Sequence, residues 1–216
     1  LVAPISLMHP HCPQYFPNEG FKNSLLEIPA PNGESLPHDI KDVPHGKVEY
    51  IHYYSQSLKA TNHAIVYLPP TYDAKNTDKK YPVFYLISGT TDTEEVYYKV
   101  GRMNYILDNL LAEGKAEEFI IVMDNGTWTM PRPAAPVQRP AGQQAPARPQ
   151  GAQQAPGMGL PSNWADGFMN TLINDIIPMV DSRYRTIADN KHRAMAGLSM
   201  GAMQTKAITL ANPKTF

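Results

Sequence analysis

Hydrophobic and polar positions along this chain alternate between short apolar runs and helical repeats. From Lys47 to Ser55 and again from His63 to Leu68 the chain is rich in Val, Ile and Tyr, and it closes at Pro69-Pro70-Thr71-Tyr72-Asp73, which predicts two antiparallel strands and a turn. Tyr81 to Ile87 is a near-continuous apolar run, the pattern of a strand covered on both faces by helices. Met103, Ile106, Leu107, Leu110 and Leu111 then recur at helical spacing, and Gly114 stands just beyond, where a glycine can end a helix in the left-handed conformation. Glu118 to Met123 supplies a second buried strand ending at Asp124-Asn125-Gly126, so the order strand, helix, strand predicts a right-handed parallel crossover. Phe168, Leu172, Ile173, Ile176, Ile177 and Val180 mark another amphipathic helix, with Pro178 set to kink its last turns. Arg193 to Leu198 predicts a short strand, and Met203, Ala207 and Leu210 a helix after it. The expected fold class is α/β: a doubly wound sheet, mostly parallel, with antiparallel N-terminal strands.

Two stretches break this pattern. Residues 1–45 are interrupted by Pro4, Pro10, Pro13, Pro17, Pro29, Pro31, Pro37 and Pro44 and are expected to form an N-terminal arm or linker ahead of a domain spanning 46–216. His9-Pro10-His11-Cys12 in this arm could ligate a metal, but no second ligand cluster accompanies it, which favours an ordinary tail. From about 127 to 163 the composition collapses into Pro, Gln, Ala, Gly and Arg, with Gln143-Gln144-Ala145-Pro146 echoed at Gln153-Gln154-Ala155-Pro156. Such a segment buries too little apolar surface to fold alone and reads as an extended excursion rather than an ordered lid.

Composition narrows the function. The formal net charge is −1 and the longest basic cluster is Lys191-His192-Arg193, so nothing here would neutralise a phosphate backbone and no nucleic-acid partner is expected. No apolar run approaches the roughly 20 residues needed to cross a bilayer. Cys12 is the single cysteine, which excludes an internal disulfide. The chain opens at Leu1 with neither Met nor a basic-then-apolar leader, so a processed or cut N-terminus is expected. No feature specifies a metal or an organic cofactor.

The chemistry gathers at Gly197-Leu198-Ser199-Met200-Gly201, between a predicted strand and a predicted helix. A serine hydroxyl becomes a useful nucleophile when it projects from a tight strand-to-helix turn toward a base, with backbone N–H groups placed to receive the developing negative charge. Flanking glycines let strand and helix approach closely, and the Met200 N–H would lie at the helix start, where the dipole favours an anion. The plainer alternative is that Ser199 only caps the helix. The strand-then-helix context favours the nucleophile.

Asp42-Val43-Pro44-His45-Gly46, Tyr81-Pro82-Val83-Phe84-Tyr85-Leu86, Gly101-Arg102-Met103-Asn104-Tyr105-Ile106-Leu107-Asp108-Asn109-Leu110 and Arg193-Ala194-Met195-Ala196-Gly197-Leu198-Ser199-Met200-Gly201-Ala202-Met203-Gln204-Thr205 together resemble the esterase family of α/β hydrolases that contains feruloyl esterases, acetyl-xylan esterases and esterase D-like enzymes. The likeness runs from about Lys41 to Phe216, apart from the low-complexity insert. It implies an α/β-hydrolase sheet and a secreted or periplasmic enzyme. The implied reaction is two-step hydrolysis of feruloyl or acetyl esters of plant cell-wall polysaccharide through an acyl-serine, with further carbohydrate-binding or catalytic domains in the full-length protein. In such enzymes a second oxyanion N–H comes from the loop after the strand that precedes the first crossover helix. Here that loop is Ser88-Gly89-Thr90-Thr91, which makes the Thr90 amide the candidate beside that of Met200. The family usually has His-Gly where this chain has Ser88-Gly89.

In this fold the triad follows the order Ser, then Asp or Glu, then His. Met200 to Phe216 contains none of these three, so the acid and base are expected in a missing C-terminal part, and this chain alone is expected to be inactive. Asp175, Asp181 and His192 read as solvated surface charges rather than substitutes. Asp124 and Asn125 lie where α/β sheets bind ligands but equally suit a turn before Gly126. Trp128 and Trp164 bracket the insert and could stack on a sugar or feruloyl ring, though plain packing is the simpler expectation. The competing reading is a catalytically inactive relative that binds a glycan or a protein.

Overall fold

Strands form where β-branched and aromatic residues cluster. In the computed structural model, which describes residues 15–18, 23–72, 78–126 and 164–216, β1 (Lys47–Ser55) pairs antiparallel with β2 (Ala60–Leu68), Lys47 facing Leu68 and Ser55 facing Ala60. β2 thus begins upstream of His63, because Thr61 and Asn62 continue the ladder to a tight turn in which Lys59 adopts φ 52°. β3 (Val83–Ile87) and β4 (Ile120–Asp124) are parallel and joined through helix α1 (Met103–Ala112). β5 (Arg193–Gly197) lies parallel to β3 on its other side, giving the order β1-β2-β4-β3-β5. This is the mixed, doubly wound α/β sheet expected from the sequence. Gly114 takes φ 67° just past α1, as its position foretold.

β3 starts later than the apolar run. Pro82 has no N–H for a ladder, and Tyr81 pairs instead with the segment before β5: its N–H donates to the Arg185 carbonyl and its carbonyl accepts from the Ile187 N–H, both at 2.9 Å.

Alternation along the central strands feeds two cores. Val83, Tyr85, Ile87, Ile120 and Val122 pack with Phe168, Leu172, Ile176, Val180 and Ile208 on one side. Ile65, Tyr67, Ile121 and Met123 pack with Leu107 and, partly buried, Phe84, Leu86, Met103 and Leu111 on the other. The helical stretch after the insert divides into α2 (Asp166–Thr171), a π-helical turn (Leu172–Ile176) and α3 (Ile177–Arg183). Pro178 falls in the first turn of α3, where its missing N–H is tolerated, and the wide turn lies just ahead of it.

Helix α4 (Met200–Ala211) is present, but its inward face is not the one its apolar residues suggest. Met203 and Leu210 are exposed, whereas Gly201, Gln204 and Ile208 are buried. Close backbone approach at Gly201 and a hydrogen bond from Gln204 Nε2 to the Gly126 carbonyl (3.0 Å) decide the orientation. The low-complexity insert 127–163, with Trp128, and His9-Pro10-His11-Cys12 lie outside the described residues. No helix among the described residues is long and apolar enough to cross a membrane.

Two buried carboxyls contrast sharply. Asp108 on α1 accepts from the Gly46 N–H (3.0 Å) and the Tyr67 hydroxyl (2.5 Å) and bonds His45 Nδ1 (2.9 Å), so both its oxygens are satisfied and the segment entering β1 is tied to α1. Asp124, at the end of β4, accepts from the Gly126 N–H through Oδ1 (2.8 Å), while its Oδ2 is buried without a hydrogen-bond partner. Burial pushes the Asp124 carboxyl up to about 7, partly offset by the Gly126 bond.

Asp108→Ala leaves the buried Tyr67 hydroxyl and the part-buried Gly46 N–H without their acceptor and frees the exposed His45 ring, and it is expected to cost about 2–3 kcal/mol in urea unfolding; a loss below about 1 kcal/mol would show that the knot is not holding the arm. For Asp124 the folded carboxyl keeps its proton toward neutrality, whereas the unfolded one releases it near 4. Its contribution is therefore complete in acid and is lost as pH rises toward 7, at up to about 1.4 kcal/mol per pH unit. Asp124→Asn, which retains an acceptor for Gly126, should match the wild type near pH 4 and exceed it near pH 8. Identical urea midpoints near pH 8 would contradict that burial cost.

Candidate active site

Ser199 stands between β5 and α4 with φ 52° and ψ −115°, a left-handed backbone that costs a non-glycine residue roughly 1–3 kcal/mol. It occupies the cap position of α4, yet its side chain makes no capping hydrogen bond, so the plain cap reading does not describe it. The Ala202 and Met203 N–H groups both donate to the Ser199 carbonyl at 3.1 Å, so the helix begins at once. A methyl group on Gly197 would sit 2.5 Å from the Gly201 carbonyl carbon and 2.7 Å from the Ile87 oxygen. One on Gly201 would lie 2.6 Å from the Ser88 oxygen and closer still to that of Ile87. The two glycines therefore let the turn collapse onto the end of β3, and Ser199 is left exposed at the carboxyl edge of the sheet.

The loop leaving β3 meets Ser199 there. A methyl group on Gly89 would fall 3.5 Å from Ser199 Cβ and 3.1 Å from Asp92 Oδ2. Buried Ser88 donates its hydroxyl to the Thr93 carbonyl (3.0 Å), and Asp92 N–H donates to the Gly89 carbonyl (3.1 Å), which folds 88–93 into a tight loop. Thr91 within it has φ 67°, a conformation that a β-branched residue adopts only under constraint. Tyr97 closes the base by donating its hydroxyl to the Ile87 carbonyl (3.1 Å). The sequence-predicted loop Ser88-Gly89-Thr90-Thr91 and the Gly197–Gly201 turn thus share one edge of the fold, a serine hydroxyl beside two stretches of tightly turned backbone.

The other candidates lie elsewhere or are engaged. His192 precedes β5, at the opposite end of the strand from Ser199, and bonds Asp189 (2.8 Å). Asp175 and Asp181 are not solvated surface charges: Asp175 accepts from the Ser55 hydroxyl (2.6 Å) and the Ser57 N–H (3.0 Å), and Asp181 from the Thr186 hydroxyl (2.7 Å) and Arg193 Nη2 (2.7 Å). The bonds from Ser55 and Ser57 outweigh burial and hold the Asp175 carboxyl below its ordinary range. Asp124 performs the turn role before Gly126. Trp164 is half-buried in the turn leading to α2.

Sequence reasoning missed a pair near the same edge. His63 Nε2 lies 2.8 Å from Glu94, whose side chain is almost wholly buried, and no local pattern links residues on β2 and on the loop after β3. It also missed Glu27, His38 and Asp39, which bring ligand-type atoms within 4.8 Å of one another. Arg102 already engages both Glu27 oxygens (2.8 and 2.6 Å), and the Leu36 N–H occupies Asp39 Oδ2 (2.6 Å), so a cation there would have to displace a guanidinium.

Comparison with known proteins fits this arrangement. The model of the family described as "Putative esterase" matches residues 55–216. An endo-1,4-beta-xylanase/feruloyl esterase of Xylanibacter ruminicola is 33% identical over 195 residues, covering 89% of this chain and 23% of that protein. The ferulic acid esterase of Anaeromyces mucronatus, solved in complex with ferulic acid, superposes with a TM-score of 0.61 at 26% identity, over 82% of this chain and 57% of that one. The feruloyl esterase module from Clostridium thermocellum, at 21% identity and a TM-score of 0.59, shares the fold over 88% of this chain and 57% of its own. The chain thus spans under a quarter of the Xylanibacter relative and little more than half of these solved structures. With the family matched across most of its length and the sheet, crossover and serine turn in place, this chain belongs to the Putative esterase family and has the α/β-hydrolase fold.

Proposed function

We propose that Ser199 is the nucleophile of a carboxylic-ester hydrolase that forms an acyl-serine intermediate, with the Met200 and Thr90 backbone N–H groups receiving the oxyanion. The observation that carries this reading is the Ser199 backbone: strain in a tight strand-to-helix turn, with no capping bond in return, has a purpose if the hydroxyl must be presented to a substrate. The loop at Gly89 lies against the same side chain, and this closeness supports the Thr90 amide as a donor to the developing negative charge. Ser88 in place of the family's histidine is compatible with this role, since the donors are backbone groups and the Ser88 hydroxyl serves the loop by bonding Thr93.

The acyl groups are feruloyl or acetyl, and the substrate is an ester of plant cell-wall polysaccharide met outside the cytoplasm, by a secreted or periplasmic protein with further domains. The name of the Xylanibacter relative supports both the substrate class and the added domains. In this fold the triad acid and base follow the serine in chain order, and Met200 to Phe216 holds no Asp, Glu or His, while His192 lies at the opposite end of β5 from Ser199. Without a base the serine hydroxyl is a weak nucleophile, so this chain alone turns esters over poorly.

In the full-length protein, Ser199→Ala should lower release of ferulate from methyl ferulate, or of acetate from an aryl acetate, by at least ~10³-fold. An acyl adduct trapped on the wild type should map to the peptide containing Ser199. Hydrolysis unchanged in Ser199→Ala sinks the assignment, and no hydrolysis of either ester by the wild type leaves a glycan- or protein-binding relative as the better reading.

A further inference from the structure

The loop beside Ser199 is held from outside by the N-terminal arm. Pro17 and Asn18 are buried, and Asn18 forms an antiparallel bridge with Asp92. Its side-chain amide donates to Thr91 Oγ1 (2.9 Å) and to Asp92 Oδ1 (2.7 Å). Pro17 supplies its carbonyl to the Thr93 N–H (3.1 Å) and to the Thr93 hydroxyl (3.3 Å). The same segment is tied to chain further on, with Phe16 N–H donating to the Asn23 carbonyl (2.9 Å) and Tyr15 bridging Ser24.

These bonds fall on the two features of the loop that most need support. Thr91 has a positive φ that its side chain disfavours, and it directly follows Thr90 in the tight loop that lies beside Ser199. Asp92 turns its second carboxylate oxygen toward Gly89, which lies against Ser199. A free carboxylate in that position would oppose any negative charge forming at the serine. One amide at Asn18 fixes the first and engages the second through a charge-assisted bond.

We propose that Asn18 is a positioning residue for ester hydrolysis: it clamps Thr91 and Asp92 so that the loop carrying the Thr90 N–H keeps its place beside Ser199 and the Asp92 carboxylate stays engaged with the arm. This rests on Ser199 as the nucleophile. Asn18 touches neither substrate nor the reacting atoms; its effect passes through the loop.

The test compares wild type, Asn18→Ala and Asn18→Asp in the full-length protein. The aspartate has the shape of asparagine but no N–H₂ to donate and sets a second carboxylate against Asp92, so it breaks the clamp without removing bulk should the alanine variant fold poorly. Both variants should lower kcat for methyl ferulate by about tenfold to a hundredfold with KM within about twofold, since a displacement of about 1 Å costs that much. Affinity for an aryl boronate, which forms a tetrahedral adduct with an active serine, should fall in step with kcat/KM, while affinity for ferulate stays level. Amide hydrogen exchange over 88–93 should quicken in both variants while β1 and β2 stay protected. The proposal is overturned by kcat within twofold of wild type in Asn18→Asp, or by ferulate and boronate binding weakening equally, which is the mark of a general structural role. A wild type without Ser199-dependent hydrolysis removes the reading on which the clamp rests, and the exchange experiment still decides the clamp: unchanged exchange over 88–93 rejects it.

Discussion

The contact on which this structure depends is the approach of the β5–α4 turn to the end of β3. Neither Gly197 nor Gly201 has room for a methyl group against the Ile87 and Ser88 carbonyls, and the Leu198 N–H donates to the Ile87 oxygen at 3.2 Å. One short stretch of backbone therefore ends β3, receives the turn from β5 and starts the loop that reaches Ser199. A side chain at either glycine would push α4 away from the sheet, and Ser199 would lose both its strained backbone and its neighbour at Gly89. Packing and chemistry share a single constraint here, because the same closeness that buries Ile208 and Gln204 sets the distance between serine and loop.

Polar groups are then placed around that contact so that distant segments are joined to it. Gln204 reaches from α4 to the Gly126 carbonyl, which links the helix after the serine to the end of β4. Asp108 draws His45, Gly46 and Tyr67 together and anchors the chain just before β1. The difference between Asp108 and Asp124 is one of supply: the first meets a partner at both its oxygens, while the second, among the described residues, is bonded by the Gly126 N–H at one oxygen and by nothing at the other. A buried carboxyl short of donors keeps its proton, and that is why burial dominates at Asp124.

Much of the sheet was legible because its strands carry their burial in their composition. Val83 to Ile87 and Ile120 to Asp124 lie between two layers, and an apolar run is what such a strand requires. Helix α1 was legible for a similar reason, with Gly114 marking its end. The α4 face was not legible, because Met203 and Leu210 stay exposed, and the inward residues besides Ile208 are a glycine needed for closeness and a glutamine needed for a hydrogen bond. Pattern reads hydrophobicity, and neither property is hydrophobic. The turn holding Ser199 could be read from its two glycines. The arm's grip on the loop could not, since Asn18 and Thr91 lie far apart in sequence and prolines make residues 1–45 look like a linker. His63 and Glu94 were hidden in the same way.

What the arm adds follows from the position of the loop it touches. Residues 88–93 have no regular secondary structure to hold them, and their inner side is committed to Ser88, Gly89 and the end of β3. A loop fixed on one side only would relax toward backbone angles that Thr91 prefers, because nothing in its own sequence favours a positive φ there. Support has to come from another part of the chain, and the segment that supplies it is poor in pattern because its contacts are specific rather than hydrophobic: one buried amide and one proline carbonyl. Preorganised backbone donors work only if they do not move when charge develops. On that argument the edge bearing Ser199 is built from three separated stretches, the arm, the loop after β3 and the turn after β5, joined by the contacts between them.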